Sequence, residues 1–293
     1  MDNYKVKIGI ETHIELKTHS KAFCSCRHDY CTDPNTRVCP VCLGLPGSVP
    51  SVNRSAVEKT IQAGLIFGCE IQKEFYFERK NYFSPDSPKG YQLVQFNSPI
   101  CRGGYVELNS GKKVSLNRIH LEEASAKVIH DDERGIVLID YNRSGVPVLE
   151  IVAEPTELSS SEVVEYLEIV REKVVSARLS DCVKEWGQFR YDISISVSKN
   201  AKLGTRVEIN NLSSSKDIMR AIDYEIDRQI SILKSGGEIL QETRMWDTVG
   251  ETTFAVRNKE NVNDYRHIKD PDLRTIVISD EDINRLSNEL NTN

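Results

Sequence analysis

From Val6 to Leu16 the chain alternates strictly. Val6, Ile8, Ile10, Thr12, Ile14 and Leu16 are apolar or β-branched, and Lys7, Gly9, Glu11, His13 and Glu15 between them are polar or bare. A period of two predicts a half-buried strand that carries Glu11, His13 and Glu15 on one face. Such a row can ligate a metal, since carboxylate and imidazole are ordinary ligands, or it can be the wet side of a sheet. The same alternation recurs where Tyr191, Ile193, Ile195 and Val197 are interleaved with Asp192, Ser194, Ser196 and Ser198, and where Arg206, Glu208 and Asn210 flank Val207 and Ile209. Elsewhere the period lengthens. Asn53 predicts the N-cap of a helix through Ala56, Val57, Ile61 and Leu65 that ends near Gly68. Ser159 and Glu162 form a capping-box pair ahead of the stripe Val163, Val164, Leu167, Val170 and Val174. Ile218, Met219, Ile222, Ile226, Ile230 and Leu233 predict a further amphipathic helix stopping at Gly236-Gly237. Strands and helices are intermixed without regular βαβ alternation, so the expected fold class is α+β with a largely antiparallel sheet.

The stretch from Arg118 to Pro155 concentrates the chemistry. Its apolar runs deliver Glu122 and Glu123, then Asp140, Glu150 and Glu154, around the turn-forming segment Asn142-Arg143-Ser144-Gly145-Val146-Pro147. Carboxylates on strands with an Arg on the connecting loop can hold a hard divalent ion and a phosphate, or form a row of solvated acids. Upstream, the segment from Phe77 to Gln92 combines aromatics, the adjacent cations Arg79 and Lys80, and two prolines, which makes it a shaped loop whose cations can meet phosphate. Arg244, Arg257 and Arg266 fall near expected strand ends.

At 293 residues the chain can bury a sizeable core. It contains no apolar run of membrane-spanning length, and its polar start is not a signal peptide, so a cytoplasmic location is expected and no membrane partner. A net charge of −6 disfavours nucleic-acid binding driven by bulk charge, although a local basic face is compatible with it. Of eight cysteines, four form two close pairs, Cys24/Cys26 and Cys39/Cys42, with His28 and Cys31 as spare donors in the loop between them. Two close pairs in a Pro/Gly-bearing loop fit a tetrahedral zinc site better than disulfides; idle thiols and redox chemistry are the other readings. Four thiolates would close the coordination shell, so the expected role is structural.

The phrases IGIETHIEL, FERKNYFSPDSPKGYQ, RIHLEEASAK, DYNRSGVPVLEIVAEP, FRYDISISVS and QETRMWD, in this order, resemble the family of aspartyl/glutamyl-tRNA amidotransferase B subunits over about Lys5 to Leu273, and the cysteine quartet resembles its zinc loop. The resemblance implies one catalytic domain over residues 1–293, a cradle similar to glutamine synthetase and guanido kinases, with a zinc-binding insertion at about 20–47 and a tail from about 275. It implies a ligase of protein biosynthesis that uses ATP and Mg²⁺ to phosphorylate the side-chain carboxylate of Glu or Asp esterified to a non-cognate tRNA. Ammonia from a glutamine amidase subunit then forms the amide, within a heterotrimer completed by a small tethering subunit. The metal ligands implied are Glu11, His13, Glu123 and Glu150, with Glu122 as a further candidate. Lys80, Arg143 and Arg190 are implied phosphate contacts, and Asp192 a catalytic position. Phosphoryl transfer to a carboxylate needs metal and cations to absorb charge more than it needs acid–base chemistry.

The chain departs from the family pattern at several points. Ala124 stands where an acid is usual, Ser194 where the family has Asn, and Asn210 where it has Lys; the segment from Asp264 to Leu273 also differs. Family members continue into tRNA-gripping helical and tail domains beyond the equivalent of Asn293. The expectation is either a piece of an ordinary subunit or a short natural paralogue acting on another carboxylate carrier, with the cradle substitutions favouring the paralogue. On either reading this chain alone is expected to bind only the acceptor end of mischarged tRNA, and weakly. A non-catalytic scaffold and a metal-dependent hydrolase that needs no nucleotide are the contrasting functions.

Overall fold

The alternating first segment forms a strand, Lys5–Glu15, at the middle of the main sheet. In the computed structural model, residues 4–29, 31–199, 202–258 and 265–292 are described. The sheet runs in the order Thr252–Asn258, Glu242–Asp247, Val207–Asn210, Phe189–Ser198, Lys5–Glu15, Pro147–Ala153, Lys113–Glu123, Cys101–Arg102, Glu70–Ile71, and Tyr105–Glu107 pairs with a further part of Lys113–Glu123. Val207–Asn210 and Glu242–Asp247 run parallel, while the pairs around the first strand are antiparallel, as the irregular mix of elements predicts.

Helices α1 (Arg54–Ile66), α2 (Ser160–Ser176) and α3 (Ser215–Lys234) cover the apolar face of this sheet. Asn53 caps α1 by accepting from the Ala56 N–H, and Ser159 and Glu162 complete the reciprocal capping box on α2. The stripes packed beneath are those read from the sequence: Val163, Leu167, Val170 and Val174 from α2, and Ile218 and Ile222 from α3, against Ile8, Ile10, Ile14, Ile151, Ile193 and Ile195. Because strand side chains alternate, burying that set commits Gly9, Glu11, His13, Glu150, Asp192 and Ser194 to the other face. There they line a cavity of about 1440 Å³, walled in part by a small three-stranded sheet of Glu78–Asn81, Tyr91–Val94 and Ile268–Lys269.

Two segments lie apart from the main sheet. Residues 136–140 leave the main sheet and pair with Lys127–Asp131 in a separate hairpin, so Asp140 lies away from the other acids. The expected tail from about 275 contains helix α4 (Asp280–Thr292), docked on α1 through buried Leu286 and an Arg285–Glu58 ion pair at 2.7 Å. Among the described residues, no helix is long and apolar enough to cross a membrane.

Candidate active site and cysteine cluster

Strand register brings the central groups together. His13 is directly opposite Glu150 on one neighbour and Arg190 on the other, and Glu150 is opposite His120, so Arg190, His13, Glu150 and His120 form a row across four strands. Glu122, two residues beyond His120, projects from the same face. The resulting cluster places His13 Nε2 3.8 Å from Glu122 Oε1 and 3.9 Å from Glu150 Oε2, close enough for the three groups to share one cation. Glu11 lies one pair further along, opposite Asp192 and 3.8 Å from the Arg206 guanidinium. Asp192 Oδ2 is 3.9 Å from His13 Nδ1, and the Asn210 amide, oriented to donate, is 3.0 Å from Asp192 Oδ1.

These groups perturb one another. Burial and the nearby Glu150 charge raise the Glu122 and Glu11 carboxyls above their ordinary range. Burial raises Glu150 too, but the charge and hydrogen bond of His120, with help from His13 and Arg118, outweigh it and hold this carboxyl far below the usual range. His120 Nε2 donates to Glu150 Oε2 at 3.0 Å. Burial opposes protonation of His13, yet Glu150, Glu122 and Asp192 together raise it. Carboxylates that repel one another around an imidazole suit a divalent cation, which would relieve the repulsion. The sequence reading passes over His120, although its place two residues before Glu122 on a strand puts it on the same face.

Several sequence candidates occupy different surroundings. Glu123, expected among the metal ligands, points to the opposite side, where it pairs with Lys89 and accepts from the Leu93 N–H at 2.8 Å. Strand alternation separates it from Glu122 and gives the cavity to Glu122. Arg143 is not on the cavity wall; its Nε donates to Glu15 at 2.9 Å and its Nη1 to the Ser125 carbonyl at 3.0 Å. Arg79 is bound to Asp270 at 2.6 Å and Asp272 at 2.9 Å, which removes it as a phosphate contact. Its neighbour Lys80 does line the cavity, 5.0 Å from the Tyr265 ring, and Arg190 and Arg118 line it as well. Arg244 sits in a network with Glu225, Glu242 and Thr253 under α3. Asp264 and the Arg257 side chain lie outside the described residues.

The four cysteines meet as the spacing predicts. Cys24, Cys26, Cys39 and Cys42 bring their sulfurs within 4.8 Å of one another, whereas His28 and Cys31 are not part of the group. A hydrogen bond from Cys24 and the Cys39 backbone hold the Cys42 thiol down at about 4 against the effect of burial; the same shared proton, with burial, pushes Cys24 up. The Cys39 N–H donates to Cys42 Sγ at 3.2 Å. Four converging sulfurs, one already favoured as thiolate, fit a soft divalent ion with no position left for substrate.

The GatB/GatE catalytic domain family matches residues 6–284. Curated relatives named as B subunits of aspartyl/glutamyl-tRNA(Asn/Gln) amidotransferase include those of Agathobacter rectalis, 46% identical over 96% of this chain, and Clostridium novyi, 43% identical over 98%. The relative from Thermoanaerobacter pseudethanolicus is 44% identical over 95% of the chain. The chain spans about three-fifths of the length of these relatives, at 60%, 62% and 59% respectively.

Proposed function

This chain belongs to the GatB/GatE catalytic domain family, and from that premise we propose that it activates a side-chain carboxylate with ATP and Mg²⁺ in tRNA-dependent amide formation. The observation that carries the reading is one cavity in which His13, Glu122 and Glu150 form an acidic floor while Lys80, Arg118 and Arg190 supply positive charge around it. His13, Glu122 and Glu150 would hold Mg²⁺, which supplies charge neutralisation for phosphate oxygens during transfer. Lys80 and Arg190 bind and orient the phosphates, and Asp192 and Glu11 flank the imidazole of His13. His120 keeps Glu150 ionised and aimed through their hydrogen bond.

A carboxylate is a poor acyl donor. Taking the γ-phosphoryl group of ATP makes its oxygen a good leaving group; ammonia then adds to the carbonyl carbon and phosphate departs, leaving an amide, ADP and phosphate. The proposed carboxylate is that of Glu or Asp on the acceptor end of a mischarged tRNA, with ammonia from a glutamine amidase subunit and a small subunit tethering the two. The cradle would serve as the similar ones of glutamine synthetase and guanido kinases do, and the cysteine cluster would hold structural zinc. The test is ADP formation by the chain with its partner subunits and Glu-tRNA or Asp-tRNA. Glu150→Gln should abolish it with the circular dichroism spectrum unchanged; activity that needs no nucleotide would replace this reading with a hydrolase.

A further inference from the structure

Lys21 is fully buried, and among the described residues no carboxylate lies within ion-pair distance of its ammonium. Its Nζ is 3.6 Å from Cys42 Sγ and donates to the Tyr141 carbonyl at 3.3 Å. A buried ammonium needs a negative partner, since removing such a charge from water unpaired is costly. Four thiolates around a divalent ion provide one, because their charge exceeds that of the ion.

Lys21 also touches the turn that carries Arg143. The Ser144 hydroxyl donates to the Cys42 carbonyl at 3.2 Å, and the Ala22 N–H donates to the Gly145 carbonyl at 2.8 Å. Gly145 adopts φ +83°, and a Cβ there would lie 3.5 Å from Cys42 Cβ and 3.6 Å from Lys21 Cδ. From this turn Arg143 extends to Glu15, whose carboxyl feels both Arg143 and the cavity-lining Arg190.

We propose that the metal-loaded cysteine cluster acts through Lys21 as a brace that fixes the 141–145 turn and holds Arg143 against Glu15. Lys21 is thus a positioning residue, and metal loading has a consequence beyond folding at Arg143 and Glu15, next to the cavity-lining Arg190. The inference rests on the cluster's holding a metal, as proposed above, and does not depend on the reaction catalysed.

The experiment uses the full chain as purified, with zinc measured by atomic absorption and amide hydrogen exchange followed at Ser144 and Gly145. These amides donate to the Tyr141 and Ala124 carbonyls at 3.0 and 2.9 Å, so they report the turn directly. In zinc-loaded Lys21→Met, and in wild type stripped by a chelator, both should exchange about tenfold faster while the amides of residues 8–14 keep their protection. Lys21→Arg should restore the slow exchange. If Lys21→Met does not fold, Ser144→Ala and the stripped wild type report the same turn. Unchanged exchange after stripping or substitution, equal acceleration across the whole sheet, or a chain that purifies without metal would each overturn the brace. Loss of ATP turnover with this exchange pattern intact would count against carboxylate activation and leave the brace standing.

Discussion

Glu122 and Glu123 are neighbours in sequence with opposite surroundings, and substitution should separate them. Glu122 shares the cavity cluster with His13 and Glu150, so Glu122→Gln should weaken Mg²⁺ binding, measured by isothermal titration calorimetry, with little loss of stability. Glu123 instead neutralises Lys89 in a buried pair, so Glu123→Gln should cost about 3–5 kcal/mol in urea denaturation by stranding the ammonium. The reverse pattern would restore Glu123 as the ligand. His13 adds a pH signature. Its raised pKa means that it keeps a proton at pH values where a free imidazole has lost it, and a metal must displace that proton. Apparent Mg²⁺ affinity should therefore rise with pH through and above the ordinary histidine range. In the ion-free protein the sign for stability is opposite: the protonated imidazole's contribution is full below the unfolded pKa and is lost as pH rises through the raised folded value. Calorimetry from about pH 6 to about pH 9, which spans the ordinary histidine range and the region above it, checks both signs, and a flat profile would remove His13 from the ligand set.

At the scale of elements, the sequence reads well wherever one face is buried. The first strand declares itself because period-two burial leaves no ambiguity about which residues face the helices. The capping box at Ser159 is legible for a similar reason, as its two hydrogen bonds are local. Ser159→Ala should lower stability by about 1 kcal/mol, seen as a lower urea midpoint with an unchanged m-value. Helix α4 is less legible. Its signals are present but short, an apolar stripe of Ile283, Leu286 and Leu290 at helical spacing behind Ser279, which accepts from the Asp282 N–H at 3.1 Å, and they follow a segment that otherwise reads as a polar tail. The 127–140 hairpin is obscured because residues 136–140 and 147–153 look like one apolar stretch interrupted by a turn. Arg143 is misplaced for a related reason: its partner Glu15 and the cysteine loop that holds its turn are more than a hundred residues away in sequence. Pairing of that kind is set by tertiary packing and leaves no local signal.

For the whole molecule, charge bears on how the proposed tRNA substrate would be held. The chain carries a net charge of −6, and its cavity cations share the space with Glu11, Glu122, Glu150 and Asp192. Arg206 is 3.8 Å from Glu11, and Arg79, beside the cavity-lining Lys80 in sequence, is bound to Asp270 and Asp272. Inside the cavity, Lys80, Arg118 and Arg190 supply positive charge that a polyanion could meet. A single-stranded acceptor end can reach such a place, while the duplex stem of a tRNA meets a net acidic molecule. Because each neutralised phosphate steepens the salt dependence, two or three contacts to a single strand predict a slope of log K against log salt of only about −2. We therefore predict that this chain alone binds mischarged tRNA weakly, with a shallow slope between low and physiological salt. Lys80→Ala and Arg190→Ala should each flatten it further. Fluorescence anisotropy with labelled tRNA at a series of salt concentrations measures both quantities. Tight binding with a steep slope, unmoved by those two substitutions, would place the phosphate contacts on an outer face and remove the cavity as the seat of tRNA binding.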